Sequence, residues 1–502
     1  MEDLSSILSN LSLSDNKEKF LGEVKPSLSA LTRAKITEGI NSVDLIVLFD
    51  CLNTDKERQI EYTLDILKYL FSFMDPAIII EKYGELMKHG LSHPNTLVPI
   101  CILKQMERCA RDDELTGMIC QHPIFLPALR LLKADLSVYS EVSKFVLQVA
   151  ETTTGARILL GAETVAELHL LGSLNEVIKI RVLEVAVRIS QLSQEHLDEV
   201  DRVGLLQPLH ELIHVDDILV KLNAVELVTS VALTHQGLRF LENNGMISRM
   251  EEILQSSRQD PFADILIPGL IKFFGNIAHL RPKLMIVQHP NFMDCLFSMA
   301  ESSDLTQRAI AFETIGWIGV SLEGKVTLAD LGNKMSHCIE KLEDLIRDSP
   351  TEIRIRGMNA FSSLIKLDKE NQTNEFLSIT ESWYKRALGN RGSPMQLLVG
   401  IVKLPFADMR LAVYGLLNNI AKQGWGRREI LRFPGFPELL LDRSTERDKD
   451  GKDAKYDLIQ SLVESGEAKE VVGAEIDGRL REYSRLGAHH VQVQSQVAYE
   501  GD

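Results

Sequence analysis

One acidic segment near the carboxyl end has the residue spacing of a calcium-binding loop. In residues 446–457, acids stand at positions 1, 3, 5 and 12 and glycine stands at position 6, as in an EF-hand. The match is incomplete, because position 1 is Glu446, position 12 is the shorter Asp457, and the usually apolar position 8 is Asp453. Two interpretations remain, a calcium loop and a charged segment whose acids face the positive N-terminus of the next helix. The departures favour the second.

The other chemically interesting residues lack the spacing that their chemistry needs. Cys109, Cys120 and His122 could bind zinc but are not arranged in the usual pairs. Around Lys325 there is neither the upstream glycine nor the following Ser or Thr of a phosphate-binding loop, and the chain has no Gly-x-Ser-x-Gly or His-Glu-x-x-His motif. His489 and its neighbour His490 lie in a polar terminal segment. We therefore predict no catalytic residue, no cofactor and no metal, and a protein that is not an enzyme.

The amino-acid composition and net charge indicate which classes of partner are compatible with this chain. The chain has 502 residues, of which 45% are apolar and 25% charged, as in folded proteins. Its net charge of −16 disfavours nucleic acid and anionic membrane surfaces, which need a basic footprint. It is compatible with a basic protein partner.

The targeting and cysteine signals indicate an intracellular protein. The amino end carries acids where a signal peptide would carry Lys or Arg, and no apolar run reaches the roughly 18 residues of a membrane span. The six cysteines form no close pairs, which predicts reduced core thiols in a cytoplasmic or nuclear protein. They are Cys51, Cys101, Cys109, Cys120, Cys295 and Cys338.

The sequence contains a series of predicted helices that begin in a similar way and recur along the chain. In the clearest copy, Asp260 and Pro261 form a helix start, and apolar residues fill almost every position from Ile265 to Ile277. So apolar a helix needs neighbours on more than one side. Related starts, 40 to 47 residues apart with one interval of 56, are Asp55, Asn95, Asp135, Asn175, Asp216, Asp260, Asp304, Ser349, Pro405 and Lys452.

This period predicts an all-α solenoid of HEAT or armadillo type, with two or three helices in each repeat. We expect a curved superhelix of about nine to ten repeats without an independently folding domain boundary. The predicted layout is an N-terminal helical cap (1–45), repeats (46–367), an insertion with an extra helix from Ile379 to Leu388 (368–395), C-terminal repeats (396–486) and a flexible tail (487–502).

A solenoid offers its concave face to partners, and the repeat register predicts which residues lie there. Lys272 and Asn276 interrupt the apolar helix one turn apart, so they share a face. The same two positions in the other copies hold Lys144, Glu184, Glu226, Glu313 and Gly415, and Gln148, Arg188, Ser230, Trp317 and Asn419. We call these residues, together with Lys272 and Asn276, the first-helix stripe, because each lies on the predicted helix that opens its repeat.

We predict that eight residues of the first-helix stripe bind the partner: Glu184, Arg188, Glu226, Lys272, Asn276, Glu313, Trp317 and Asn419. The glutamates with Lys272 give the order acid, acid, base, acid, which would orient a partner bearing Lys or Arg. The alternative is that the stripe is only the solvated face that every solenoid helix has. Trp317 could be either a core residue or an exposed anchor.

Eight short segments carry a resemblance to a known family. They are 234–237, 260–262, 266–269, 272–276, 380–383, 433–436, 442–444 and 452–456. With them the chain resembles the family of proteasome non-ATPase regulatory subunit 5, HEAT/armadillo-repeat chaperones of proteasome assembly. The Lys-Phe-Phe-Gly-Asn segment at 272–276 and the Asp-Ala-Lys-Tyr segment at 453–456 are the specific ones. The resemblance covers essentially the whole chain and is weakest in the first ~80 residues, where only the repeat pattern supports it.

The resemblance implies a C-shaped chaperone of the base of the proteasome regulatory particle. Members bind the C-terminal domain of one base ATPase, proteasome regulatory subunit 7, and hold it with its neighbouring subunits in an assembly intermediate. Their bulk prevents premature docking on the core particle, and they leave before the proteasome is complete. The resemblance implies no catalytic motif, and we expect a monomer when the protein is free.

Two other classes of binding protein remain as alternatives. A nuclear-import adaptor of armadillo type would need a regular ladder of Trp and Asn, whereas Asn276 and Asn419 qualify but only one copy has a tryptophan. A β-catenin-like scaffold would need a basic groove, whereas Glu184, Glu226 and Glu313 predict an acidic or mixed one.

Overall fold

The computed structural model describes residues 11, 16–30, 32–40, 43–257, 263–464 and 468–490. These residues form α-helices, with short 3₁₀ segments at Leu131–Lys133 and Lys369–Asn371 and no β-strand among them. The predicted all-α solenoid class is confirmed. Within these ranges, none of the helices combines the length and apolar composition needed to span a membrane. The chain forms two compact units, Met1–Leu241 and Glu242–Asp502.

The helices of the first unit are α1 (Lys17–Ala30), α2 (Arg33–Ile40), α3 (Ile46–Asp50), α4 (Glu57–Phe71), α5 (Pro76–Gly90), α6 (Leu97–Cys109), α7 (Asp113–Gln121), α8 (Phe125–Arg130), α9 (Leu136–Ala150), α10 (Thr153–Leu159), α11 (Ala162–Gly172), α12 (Glu176–Ser190), α13 (Gln194–Arg202), α14 (Pro208–Ile213), α15 (Ile218–Val231) and α16 (His235–Asn243), whose last residues pass the unit boundary.

Those of the second unit are α17 (Met246–Ser257), α18 (Ala263–Leu280), α19 (Pro282–Gln288), α20 (Pro290–Ala300), α21 (Leu305–Ile318), α22 (Leu322–Asp330), α23 (Asn333–Asp348), α24 (Thr351–Ile365), α25 (Asn374–Leu388), α26 (Pro394–Val402), α27 (Ala407–Ala421), α28 (Gly424–Arg432), α29 (Phe436–Leu441), α30 (Lys449–Val463) and α31 (Ala468–Leu486).

From α6 to α29 the helices recur in groups of three, with a helix pair before and after. The first helices of these groups are α4, α6, α9, α12, α15, α18, α21, α24, α27 and α30. Each begins within three residues of the start predicted from sequence. The start at Asp260 and Pro261 lies outside the described residues.

Local capping explains why the first helices begin where they do. The side chain of Asn175 accepts a hydrogen bond from the amide of Ile178 at 2.9 Å, and that of Asp304 accepts one from Thr306 at 2.7 Å. Such caps satisfy amide groups that have no partner within the helix. The recurring Asp and Asn residues of the sequence therefore mark helix starts for a physical reason.

Some of the second helices begin with a cap of their own in which the capped amide belongs to a glycine. The hydroxyl of Thr234 accepts from the amide of Gly237 at 3.1 Å, and Ser321 accepts from Gly324 at 3.0 Å. A Cβ on Gly237 would overlap the carbonyl oxygen of Val231 at the end of the preceding helix. The glycine lets the chain turn tightly from the first helix into the second.

Consecutive first helices pack side by side and run in the same direction in each unit. In the first unit, Tyr139 and Ser143 of α9 bond to Glu184 and Arg188 of α12, so the two helices advance together. In the second unit, α18, α21, α24, α27 and α30 pack against one another in that order. The parallel stacking places the same helix positions of successive repeats beside one another.

Helix α18 is the apolar helix that the sequence analysis singled out. Leu270, Ile271, Phe273 and Phe274 are fully buried. It packs against α17, α19, α20 and α21, as its apolar composition predicts. Lys272 is exposed on the remaining face.

Two predicted segments differ in detail. The helix predicted from Ile379 to Leu388 begins at Asn374 and is the second helix of its group, not an addition to it. In the predicted tail, Arg443 donates a hydrogen bond to the carbonyl of Gly487 at 2.7 Å, and His489 lies 2.8 Å from Asp453. Residues 487–490 are thus held by neighbouring side chains. Residues 491–502, and residues 1–10 and 12–15 of the predicted cap, lie outside the described ranges.

Candidate partner-binding surface

In the acidic segment at 446–457, the protein itself engages the carboxylates of Glu446 and Asp448. Both oxygens of Glu446 accept from Arg410, at 3.0 and 3.1 Å, and one also accepts from Tyr414 at 3.0 Å. Asp448 caps α30 by accepting from the amide of Gly451 at 2.7 Å. Asp448 and Asp450 lie at the N-terminus of α30, as the second interpretation predicts, although residues 449–457 belong to this helix and not to a connection between helices.

The six cysteines are buried, as predicted. Burial raises the pKa of Cys101 to about 11 and those of Cys120 and Cys338 to about 12. A thiol with so high a pKa holds little thiolate, which is the nucleophilic form. In the described ranges no three His, Cys, Asp or Glu side chains are grouped to hold a metal ion.

In the first unit, the first-helix stripe is solvent-accessible but partly neutralised. Glu184 accepts from Tyr139 at 2.6 Å and pairs with Arg188 at 2.5 Å. Lys144 pairs with Glu141 at 2.8 Å. Glu226 is exposed and has no ion-pair partner among the described residues. Of the two stripe glutamates in this unit, only Glu226 therefore keeps a negative charge that no described residue neutralises.

In the second unit, the stripe begins with Lys272 and Asn276, which differ in exposure. Lys272 is exposed and has no ion-pair partner within the described ranges. Asn276 is only 9% exposed, so it offers little surface to a partner. His279, its neighbour along the helix face, is half-buried.

Trp317 is an exposed aromatic residue and not a core residue. Its side chain is 43% exposed. The His279 ring stacks on it with centroids 4.0 Å apart and planes 17° from parallel. His279 also donates from Nδ1 to the Trp317 carbonyl at 2.8 Å. Because these contacts fix the indole in place, little side-chain entropy is lost when a partner packs against it.

Beside Trp317, the charge of Glu313 is balanced by Arg356 of the next first helix. The two side chains form a bidentate pair with N–O distances of 2.6 and 2.7 Å. This hydrogen bonding raises the pKa of Arg356. The stripe ends at Asn419, whose amide donates to the Ser362 hydroxyl at 2.8 Å.

The structure therefore changes the predicted charge pattern of the stripe. Two of the three glutamates, Glu184 and Glu313, are paired with arginines, which leaves Glu226 in one unit and Lys272 in the other. Apart from Arg188, the residues that pair with the stripe or contact it are ones that the sequence register does not contain. His279 has a usable signal, since it stands seven residues after Lys272 on the same helix face. Arg356 has none, because it belongs to the copy that begins at Ser349, which contributes no residue to the register.

The fold and this surface define the class of the protein as an α-solenoid of armadillo/HEAT-like three-helix repeats. The family model described as "Proteasome non-ATPase 26S subunit" matches residues 2–502. The chain belongs to this family, and its role is related to the proteasome.

Curated relatives support the assignment over nearly the full length. The 26S proteasome non-ATPase regulatory subunit 5 of Bos taurus is 31% identical over 477 residues, which cover 94% of this chain and 94% of the relative. The protein of the same name from Drosophila melanogaster is 24% identical over 464 residues, 90% of this chain and 89% of the relative. Among solved structures, a designed armadillo repeat protein in complex with the peptide (KR)4 is 16% identical, with a TM-score of 0.31. The match covers 47% of this chain and 99% of that chain.

Proposed function

We propose that this chain is an assembly chaperone of the base of the proteasome regulatory particle. It would bind the C-terminal domain of a base ATPase, regulatory subunit 7, and hold that subunit with its neighbours in an intermediate. Its bulk would block premature docking on the core particle, so the mechanism is steric and not catalytic. The proposal includes a free monomer in the cytoplasm or nucleus.

The observation that carries the proposal is the ordered, exposed face of α18 and α21. Lys272 offers a cation, and the stacked pair of His279 and Trp317 offers an aromatic surface. These groups are not part of the packed core. An exposed, pre-ordered tryptophan is the kind of residue that dominates protein interfaces. The family membership supports a partner among proteasome components, and among these we propose regulatory subunit 7.

The direct test is the affinity of the purified chain for the purified C-terminal domain of regulatory subunit 7, measured by isothermal titration calorimetry. We expect Trp317→Ala to weaken binding by roughly tenfold or more, the loss typical of an interface hot spot. Val287→Ala is the matched control, since Val287 is 79% exposed in the same unit but lies on α19, outside the first helices.

A second measurement addresses the steric mechanism. The bound ATPase intermediate should fail to associate with core particles on native gels until the chaperone is removed. No measurable affinity for the ATPase domain, or recovery of core-particle subunits with the wild-type chain in affinity purification and mass spectrometry, would contradict the proposal. Equal affinity of the Trp317→Ala variant would place the ATPase on another surface.

A further inference from the structure

A row of exposed aliphatic side chains lies at the start of the first helices in the first unit. It consists of the first residue of α6 and of α9 and the second residue of α12 and of α15. The side chains are Leu97, Leu136, Val177 and Leu219, with exposures of 42%, 72%, 60% and 64%. We call this row the apolar edge.

The members of the apolar edge are neighbours in space because their helices are parallel. Helix α9 packs between α6 and α12, and α12 packs against α15. Contacts fix the direction, since Tyr139 near the start of α9 bonds to Glu184 in the middle of α12, and Ser143 in the middle of α9 bonds to Arg188 near the end of α12. Gln191 bonds to the Ser230 carbonyl at the ends of α12 and α15. Packed helices lie about 8–10 Å apart, so the apolar edge has one aliphatic side chain at each such interval.

Folding does not require aliphatic residues at these positions. In the second unit, the second residues of α21, α24, α27 and α30 are Thr306, Glu352, Asp408 and Asp450, all exposed. Acids are what a helix N-terminus favours, because its amide dipoles are positive there. The first unit departs from this preference by exposing an aliphatic side chain at the first or second position of four successive first helices. In the second unit, exposed apolar side chains occur at the start of two first helices that are not adjacent, with Ile265 in α18 and Phe406 directly before α27. A contiguous row of exposed apolar surface marks an interaction site.

The charges beside the apolar edge indicate the chemistry of what it binds. Asp135, Glu176, Asp216 and Asp217 adjoin its members and are exposed. None of them forms an ion pair with any residue that the structure describes. A partner with Lys or Arg beside its apolar side chains would complement these carboxylates, whereas an anionic lipid surface would be repelled.

We propose that the apolar edge docks an amphipathic α-helix of a partner protein, with leucine-type residues every seven positions and Lys or Arg beside them. Seven residues of an α-helix advance about 10.5 Å, which matches the spacing of the packed first helices. A helix of about 22 residues would reach all four members of the edge. The inference is independent of which protein supplies the helix and of the ATPase partner proposed above.

The test uses the full chain and a fluorescein-labelled, alanine-rich 25-residue peptide with leucine at every seventh position and flanking lysines. Fluorescence anisotropy gives the dissociation constant. In the variant Val177→Glu/Leu219→Asp, the apolar edge receives the residue types found at the same positions of the second unit. We expect binding to weaken by roughly tenfold, the effect of losing two apolar contacts.

The matched control changes two leucines at the opposite ends of the same helices. Leu192 and Leu233 follow α12 and α15 and are 39% and 52% exposed. The variant Leu192→Glu/Leu233→Asp therefore has the same charge change and should bind the peptide like the wild type. Circular dichroism of both variants confirms that the helices are intact.

Two peptide controls test the chemistry. A peptide with glutamates in place of the lysines, and one with leucines at every fifth position, should each bind at least roughly tenfold more weakly. Equal binding of the edge variant and the wild type, or equal binding of the glutamate peptide, would overturn the proposal. So would a concentration-dependent dimer that the edge variant abolishes, because the occupant would then be a second copy of this chain.

Discussion

The first helices α6, α9, α12 and α15 of residues 1–241 expose an aliphatic side chain at their start, whereas α21, α24, α27 and α30 of residues 242–502 have an exposed polar second residue, and α21 exposes an aromatic side chain near its end. Val177 and Leu219 represent the first arrangement, and Glu352, Asp408 and Trp317 the second. The same repeat accommodates both, since none of these side chains is part of the core. The difference thus concerns what each unit contacts and not how each unit folds.

The interiors of the two units differ at an equivalent position as well. The fourth residue of the second helix is Leu238 in α16 but Lys325 in α22. Both are fully buried. Lys325 donates to the carbonyl of Leu364 at 2.8 Å and to that of Gly319, so it joins the carboxyl ends of α21 and α24. Burial lowers its pKa to about 7.

Close approach of the first helices is a third difference. Three residues after the stripe glutamates of the first unit stand Val187 and Thr229, both buried. The same position in the second unit holds Gly275 and Gly316. A Cβ on Gly316 would overlap the carbonyl oxygen of Ala360 on α24. At Gly316 the second unit thus brings two first helices into backbone contact, where the first unit has side chains at the equivalent position.

The largest expected effect tests that backbone contact. We expect Gly316→Leu to lower the free energy of unfolding by about 3 kcal/mol, because the obstructing atom is backbone and cannot rotate away. Gly415→Ala is the control, since Gly415 is exposed with nothing within 4 Å of an added Cβ. It should stabilise by about 1 kcal/mol through helix propensity. Urea denaturation measures both, and effects of the same sign would contradict the comparison.

A smaller loss is expected at the other glycine of this kind. An added Cβ on Gly275 would meet the Thr314 methyl of the neighbouring helix α21 at 2.6 Å. Gly275→Leu should cost about 2 kcal/mol through overpacking. Thr314→Ser removes that methyl, so the double variant should recover part of the loss. Strict additivity in the double-mutant cycle would show that the two residues do not interact.

The buried lysine predicts a pH dependence that the first unit lacks at this position. Above pH 7 the folded state holds Lys325 neutral, while the unfolded chain keeps it protonated up to about pH 10.5. The unfolded state then binds more protons, so stability rises with pH, by up to about 1.4 kcal/mol per pH unit. Relative to Lys325→Leu, which introduces the residue of α16, wild type should gain stability between pH 7 and 9. A difference that stays constant over that range in thermal denaturation would contradict the lowered pKa.

The smallest expected effect on stability distinguishes a stripe glutamate that is ion-paired from one that has no ion-pair partner among the described residues. Glu313→Gln breaks the bidentate pair with Arg356, in which the side chains are 42% and 25% exposed, and should cost about 0.5 kcal/mol. Glu226→Gln should cost nothing measurable, because Glu226 has no ion-pair partner among the described residues. High salt should shrink the first effect. Equal effects of the two substitutions at low salt would show that the pair contributes nothing.

The sequence by itself determined the repeat, its helix starts and the face on which the stripe lies. Caps such as Asn175 and Asp304 act on amides two or three residues away, and the apolar pattern of α18 is fixed by the helix period. Both signals are local, so they can be read along the chain. The same reasoning placed Lys272 and Trp317 on the helix face where the structure exposes them.

Only the tertiary structure decided what the stripe presents to a partner. The charge of Glu313 is neutralised by Arg356, which is 43 residues away in the chain. Tyr139 donates a hydrogen bond to Glu184, which is 45 residues away. Asn276 is buried and Trp317 is exposed, although both occupy the same register position. The helix period fixes the direction of a side chain relative to its own helix. Its exposure and its net charge depend on how closely the next repeat approaches, and that distance is set by contacts between residues far apart in sequence.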